Sequence, residues 1–102
     1  MNKSEFKTII YALGQAASRQ GINLEDPENT VTVWLRQEHR IGSVEYRWLG
    51  NATDIEHAKI LAGPRHAIIR TSETGRVQII VWQDRRWVDG YAEEDQPPIV
   101  LA

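Results

Sequence analysis

The strongest constraint on the fold lies in residues 66–82, which read HAIIRTSETGRVQIIVW. Isoleucine, valine and tryptophan dominate both arms, and residues 72–75 between them are small or polar and end in Gly75. β-Branched and aromatic side chains favour strands, and a glycine readily takes the positive φ that a short hairpin loop needs. The sequence therefore predicts a central β-hairpin on which the rest of the chain packs.

Residues 4–20 carry an apolar stripe with the period of a helix. The stripe consists of Phe6, Ile9, Ile10, Leu13, Ala16 and Ala17. Side chains three and four residues apart lie on one face of a helix, and Gly21 suits the left-handed residue that often ends one. We expect this helix to cover a sheet of the same chain, which is the commoner use of such a stripe; a partner-binding face is the alternative.

Three further strands and a second helix complete the predicted order. Residues 31–37 and 43–49 alternate apolar and polar side chains around a turn at 38–42, which predicts an antiparallel hairpin. Residues 53–56 fit a capping box that begins a short helix to about residue 62, and residues 86–91 predict a fifth strand.

The predicted fold class is α+β, as one domain over residues 1–102 in the order α-β-β-α-β-β-β. Its antiparallel sheet has about five strands and is covered on one face by the N-terminal helix.

Length and composition limit the classes of protein to which the chain can belong. Its 102 residues are enough for one core and too few for two. The longest apolar runs are far too short to cross a bilayer, and no secretory signal stands near Met1. The absence of cysteine suits a reducing compartment. We therefore expect a soluble protein of the cytoplasm with no membrane partner.

The net charge of −2 is unevenly distributed along the chain. The acidic excess belongs to the two ends of the sequence, whereas residues 31–91 carry nine basic side chains against seven acidic ones. Eight of those nine are arginine. Proteins that bind nucleic acid usually have a clearly basic domain, so this distribution ranks a nucleic-acid partner below a protein partner.

No motif for catalysis, for a metal or for a cofactor stands in the sequence. His39, His57 and His66 fall in a loop, on a helix and at the start of a strand, without the spacing of a metal site. A site would require them to meet a carboxylate such as Glu38 or Glu56. The serines lack a nucleophile pattern, and the glycines form no phosphate-binding loop. We therefore predict no catalytic residue, no metal ligand and no cofactor.

Arginine and tryptophan mix on one predicted face of the sheet. We expect the helix to face Val31, Val33, Leu35, Val77, Ile79 and Val81. Alternation then places a candidate partner-binding set on the opposite face: Trp34, Arg36, Arg47, Arg70, Gln78 and Trp82. Such a mixture is typical of protein interfaces, and it can also stack nucleobases and pair with phosphates. Cation–π pairs that stabilise an exposed sheet are the structural alternative.

The last residues, 92–102, read AEEDQPPIVLA: acidic, then stiffened by two prolines, then apolar. Ile99, Val100 and Leu101 can dock on the same chain, on a copy of it or on another protein by strand addition. The function that we predict is a small non-enzymatic protein-binding domain, with a homodimer as one form. The alternative is a nucleic-acid-binding protein that uses the same face together with Arg85 and Arg86, and an enzyme ranks third.

Overall fold

The fold is an antiparallel sheet of five strands with a helix against each face. The computed structural model describes residues 1–73 and 75–92. Its elements are α1 (Lys3–Gln20), a 3-10 helix η1 (Pro27–Asn29), β1 (Val31–Glu38), β2 (Val44–Ala52), α2 (Ile55–Ala62), β3 (Ala67–Glu73), β4 (Arg76–Gln83) and β5 (Arg86–Ala92). The α+β class, the order of the elements and the sheet under the N-terminal helix are confirmed. The predicted contacts of Ile99, Val100 and Leu101 lie outside the described residues.

The strands lie in the order β2-β1-β3-β4-β5, and every neighbouring pair is antiparallel. The predicted hairpin, β3 with β4, therefore lies inside the sheet, and Gly75 in its turn has the expected positive φ of 77°. Because successive strands reverse direction, the connections fall at two ends. The upper end holds residues 36–47, 63–66 and 83–86, and the lower end holds residues 22–30, 52–56 and the β3–β4 turn.

Helix α1 crosses one face of the sheet diagonally. The side chain of Asn2 begins it by accepting the N–H of Glu5 at 2.8 Å, and Gly21 ends it with a φ of 72°. Near its start the ring of Phe6 lies 4.7 Å from the ring of Tyr91 on β5. At its last residue Gln20 hydrogen-bonds to β2. The predicted apolar stripe thus packs across the described sheet from β5 to β2.

Helix α2 packs on the opposite face of the sheet. Ala58 and Ala62 are fully buried in a cluster with Val33 and Ile69, and their small side chains allow close approach of the helix. Asp54 begins the helix by accepting the N–H of His57 at 2.8 Å, so the cap is one residue later than the predicted capping box. Because α2 takes this face, both faces of the sheet are covered.

The predicted alternation was wrong for β1 and correct for β4. Trp34 pairs with Ile68, and Ile68 pairs with Val81, so all three side chains lie on the face that α1 covers. Val31 and Val33 instead belong to the cluster beneath α2. The error has a physical cause: a strand buried on both faces offers no polar side that would fix the phase of its alternation.

Candidate functional site

The six predicted binding residues do not share a face of the sheet. Three side chains lie on the face of the sheet that α1 covers: Trp34, Arg36 and Arg70. The other three lie on the face that α2 covers: Arg47, Gln78 and Trp82. Four of the six side chains are buried, which leaves Arg47 exposed and the side chain of Arg36 one-quarter exposed. The prediction of one arginine and tryptophan face is therefore wrong. A binding role for Arg36 and Arg47 stays a prediction.

The two tryptophans of the predicted set have structural partners. The indole N–H of Trp34 donates to the hydroxyl of Thr32 at 2.9 Å, within the buried layer under α1. The indole N–H of Trp82 donates to the carbonyl of Gly63 at 2.9 Å, just after the end of α2. A buried indole N–H needs such a partner, and each of these bonds holds a tryptophan side chain in place beneath a helix. These residues hold the fold together from within.

Arginines gather instead at the upper end of the sheet. Three separate connections bring six of them there: Arg36, Arg40, Arg47, Arg65, Arg85 and Arg86. All but Arg36 are exposed. Three carboxylates share the same connections, Glu38, Glu45 and Asp84, so the formal excess is six less three, or three positive charges. We call this surface the arginine end.

Two of those carboxylates already have partners within the arginine end. Glu38 lies 3.5 Å from Arg36, and Glu45 lies 2.9 Å from Nε2 of His39. The pKa of His66 is lowered from 6.5, first by burial and then by the charge of Arg36. His66 is therefore neutral at pH 7 and adds no positive charge to the guanidinium groups of this end.

The β4–β5 turn presents two arginines and a tryptophan to solvent. Asp84 and Arg85 both have positive φ, 54° and 64°, as the two central residues of a tight hairpin turn require. Glycine or asparagine is the usual choice there, and an arginine adopts this conformation at a cost. Arg86 follows, and then Trp87, which is 36% exposed and lies opposite the buried Trp82.

A groove opens between the first half of α1 and the ends of β1 and β2 at the arginine end. Its volume is about 470 Å³, and its walls include Ile9, Val44 and Tyr46, with Arg36 also in the lining. Burial raises the pKa of Tyr46, and the charge of Arg36 opposes that rise. The lining also contains Ser4, Thr8 and the carboxylate of Glu5, so the groove is of mixed polarity and places one carboxylate and one guanidinium group in the same wall.

The lower end of the sheet has the opposite charge. Glu25, Asp26 and Glu28 lie in residues 22–30, which contain no basic residue, and Asp54 caps the first turn of α2. The eight residues of β1, at roughly 3.3 Å each, separate the two ends by about 25 Å. The structure thus separates charges that nearly cancel in the net value of −2.

No protein-family model, curated protein or solved structure matches the chain. Within residues 1–73 and 75–92, no three histidine, aspartate or glutamate side chains are placed to hold a metal ion. In that same part of the chain, no helix is both long and apolar enough to cross a membrane. The arginine end and its groove are therefore the features from which a function can be argued.

Sequence reasoning named four members of this surface and missed Arg40 and Arg65. Arg36 and Arg47 were placed on a sheet face, and Arg85 and Arg86 entered as phosphate contacts. A signal for the whole group was present in the predicted order of elements. In an antiparallel sheet the directions of the strands alone assign each connection to one end or the other.

Proposed function

We propose that this chain is a small non-enzymatic protein-binding domain of the cytoplasm, which holds an acidic surface of a partner protein on its arginine end. The observation that carries the proposal is the convergence of five exposed arginines from three separate connections. Guanidinium groups bind carboxylates in a bidentate geometry, and arginine and tryptophan are enriched among the residues that dominate binding energy. The location in the cytoplasm rests on the absence of cysteine.

The mixture of charges favours a protein over a nucleic acid. Glu38, Glu45 and Asp84 lie among the arginines and would repel a continuous row of phosphates. A protein surface can place a basic group opposite each carboxylate and an acidic group opposite each arginine. Nucleic acid is the second candidate, because the exposed guanidinium groups of the arginine end can also pair with phosphates.

A second copy of the chain is one partner with the required charge. The acidic lower end of one copy complements the arginine end of another, and the distance of about 25 Å between these ends of a rigid sheet prevents the contact within one molecule. Such an upper-to-lower contact is heterologous, so it would build short open chains of molecules instead of a closed dimer. A symmetric homodimer needs a different surface.

The enzyme class stays third. A lower groove of about 650 Å³ brings His57 and Glu28 into one lining, which is the kind of juxtaposition that acid–base catalysis requires. However, Nδ1 of His57 accepts a hydrogen bond from the backbone N–H of Thr53 at 3.2 Å, so this nitrogen is already bonded to the segment that precedes α2. This geometry supports a structural role for the imidazole.

A titration with three defined probes tests the proposal. The probes are a labelled peptide of alternating glutamate and leucine, the same peptide with glutamine in place of glutamate, and a single-stranded oligonucleotide of equal charge. We expect fluorescence anisotropy to detect binding of the glutamate peptide that weakens from 50 to 300 mM salt, and little binding of the glutamine peptide. Tighter binding of the oligonucleotide would favour the second candidate, and no binding of any probe at low salt would contradict both.

A further inference from the structure

The last residue of α1 is bound to the outer edge of the sheet. Nε2 of Gln20 donates to the carbonyl of Tyr46 at 3.0 Å and to the carbonyl of Ala16 at 3.1 Å. Its Oε1 accepts the backbone N–H of Trp48 at 3.0 Å. The amide therefore uses both of its N–H groups and its carbonyl oxygen. Tyr46 and Trp48 belong to β2, which is an edge strand in the described sheet.

The two backbone groups that Gln20 binds point away from the neighbouring strand β1. Arg47 pairs with Leu35 of β1, and the carbonyl of Tyr46 and the N–H of Trp48 stand on either side of Arg47. Alternate residues of a strand direct their backbone groups to opposite sides, so these two face outward. They are the two groups that a single residue of an added parallel strand would take. The amide of Gln20 thus stands where a residue of a sixth strand would stand.

The β2 edge is also self-complementary. In an antiparallel pair of two β2 strands centred on Tyr46, Glu45 of one copy lies opposite Arg47 of the other, and this ion pair occurs twice. Val44 lies opposite Trp48 of the second copy, which places two apolar side chains together. Glu45 and Arg47 are both exposed, and the two-fold symmetry closes the contact as a dimer.

We propose that the β2 edge is a self-association site for a second copy of this chain, and that Gln20 blocks it. The unpaired backbone groups of an edge strand are a template for another strand, and natural sheets protect such edges. Here one side-chain amide protects the middle of the strand. Glu45 and Arg47 belong both to this edge and to the arginine end, but the block by Gln20 does not depend on which partner the arginine end holds.

The variant Gln20→Met tests the block, because methionine keeps the length of the side chain and removes its hydrogen bonds. In dilute solution we expect the Trp48 amide of this variant to exchange with solvent about fivefold faster than in the native chain. This factor corresponds to the loss of one hydrogen bond that contributes about 1 kcal/mol. Sedimentation equilibrium should show a dimer whose dissociation constant is at least about tenfold lower than that of the native chain. Unchanged exchange and unchanged association would overturn the proposal.

Controls separate a local effect from a global one. Gln15→Met changes an exposed glutamine of the same helix and should leave both measurements unchanged. The Ile69 amide, at the centre of the sheet, reports global opening; if it accelerates together with Trp48, Gln20→Glu replaces the test variant, because it keeps the acceptor for Trp48 and loses the donor to Tyr46. With Gln20→Glu, association must still rise for the proposal to stand.

A charge exchange identifies the surface that associates. Adding Glu45→Arg to Gln20→Met should weaken the dimer, because arginine then faces Arg47 of the second copy. Adding Arg47→Glu as well should restore it, since the pair of charges is then reversed. Association that persists through Glu45→Arg would assign the contact to another surface and overturn the proposed pairing.

Discussion

Burial gives two tryptophans of this chain different roles. Trp34 has no exposed surface and donates its indole N–H to Thr32, whereas Trp87 is 36% exposed at the arginine end. We expect Trp34→Ala to lower the free energy of unfolding by about 3–5 kcal/mol, as for a large side chain lost from a packed core. Trp87→Ala should cost much less. Urea denaturation followed by circular dichroism measures both, and equal losses would contradict the burial that separates them.

Arg85 has a backbone conformation that glycine would adopt more easily. Its φ is 64°, and its side chain is exposed in the β4–β5 turn. Arg85→Gly should therefore raise the free energy of unfolding by about 1 kcal/mol, because the strain of a left-handed residue is removed. If the arginine end is a binding surface, the same variant binds the glutamate peptide more weakly. A stabler variant with unchanged affinity would remove Arg85 from the proposed surface.

Two glycines show how the elements differ in their tolerance of a side chain. A Cβ at Gly14, within α1, meets nothing within 4 Å, and alanine is the better helix former. Gly14→Ala should raise the free energy of unfolding by about 0.5–1 kcal/mol. A Cβ at Gly90 of β5 would lie 2.9 Å from Nε1 of Trp87 and 3.1 Å from the carbonyl oxygen of Ile79, so Gly90→Ala should destabilise the sheet. Thermal unfolding of both variants measures these opposite signs.

Local patterns were sufficient to predict the elements and insufficient to predict which faces they bury. The stripe of α1 and the turn at Gly75 each depend on neighbouring residues, and both stand where the sequence predicted them. Which side chains of β1 face α1 depends on α2, because α2 packs on the face of the sheet that was expected to be exposed to solvent. The pattern of β1 alone could not reveal this cover, so Trp34 was assigned to the wrong side of the sheet.

At the scale of the whole molecule, the charges are organised by strand direction. Residues 31–91 were recognised as rich in arginine from composition, but their convergence needs the alternating directions of five strands. The arginines of the upper end come from three connections that are far apart in sequence. The acidic residues of the lower end are separated from them by the length of β1. This separation is the basis of the proposed function.

The central claim is that the arginine end holds an acidic partner, and one comparison of two double variants tests it most directly. Arg85→Asn with Arg86→Gln removes two charges from the arginine end, while asparagine still tolerates the left-handed turn position. Arg19→Gln with Lys59→Gln removes two charges from the helices. We predict that the first variant binds the glutamate peptide about tenfold more weakly and that the second binds it within about twofold of the native chain. Equal losses in the two variants, or no loss in the first, would contradict the account.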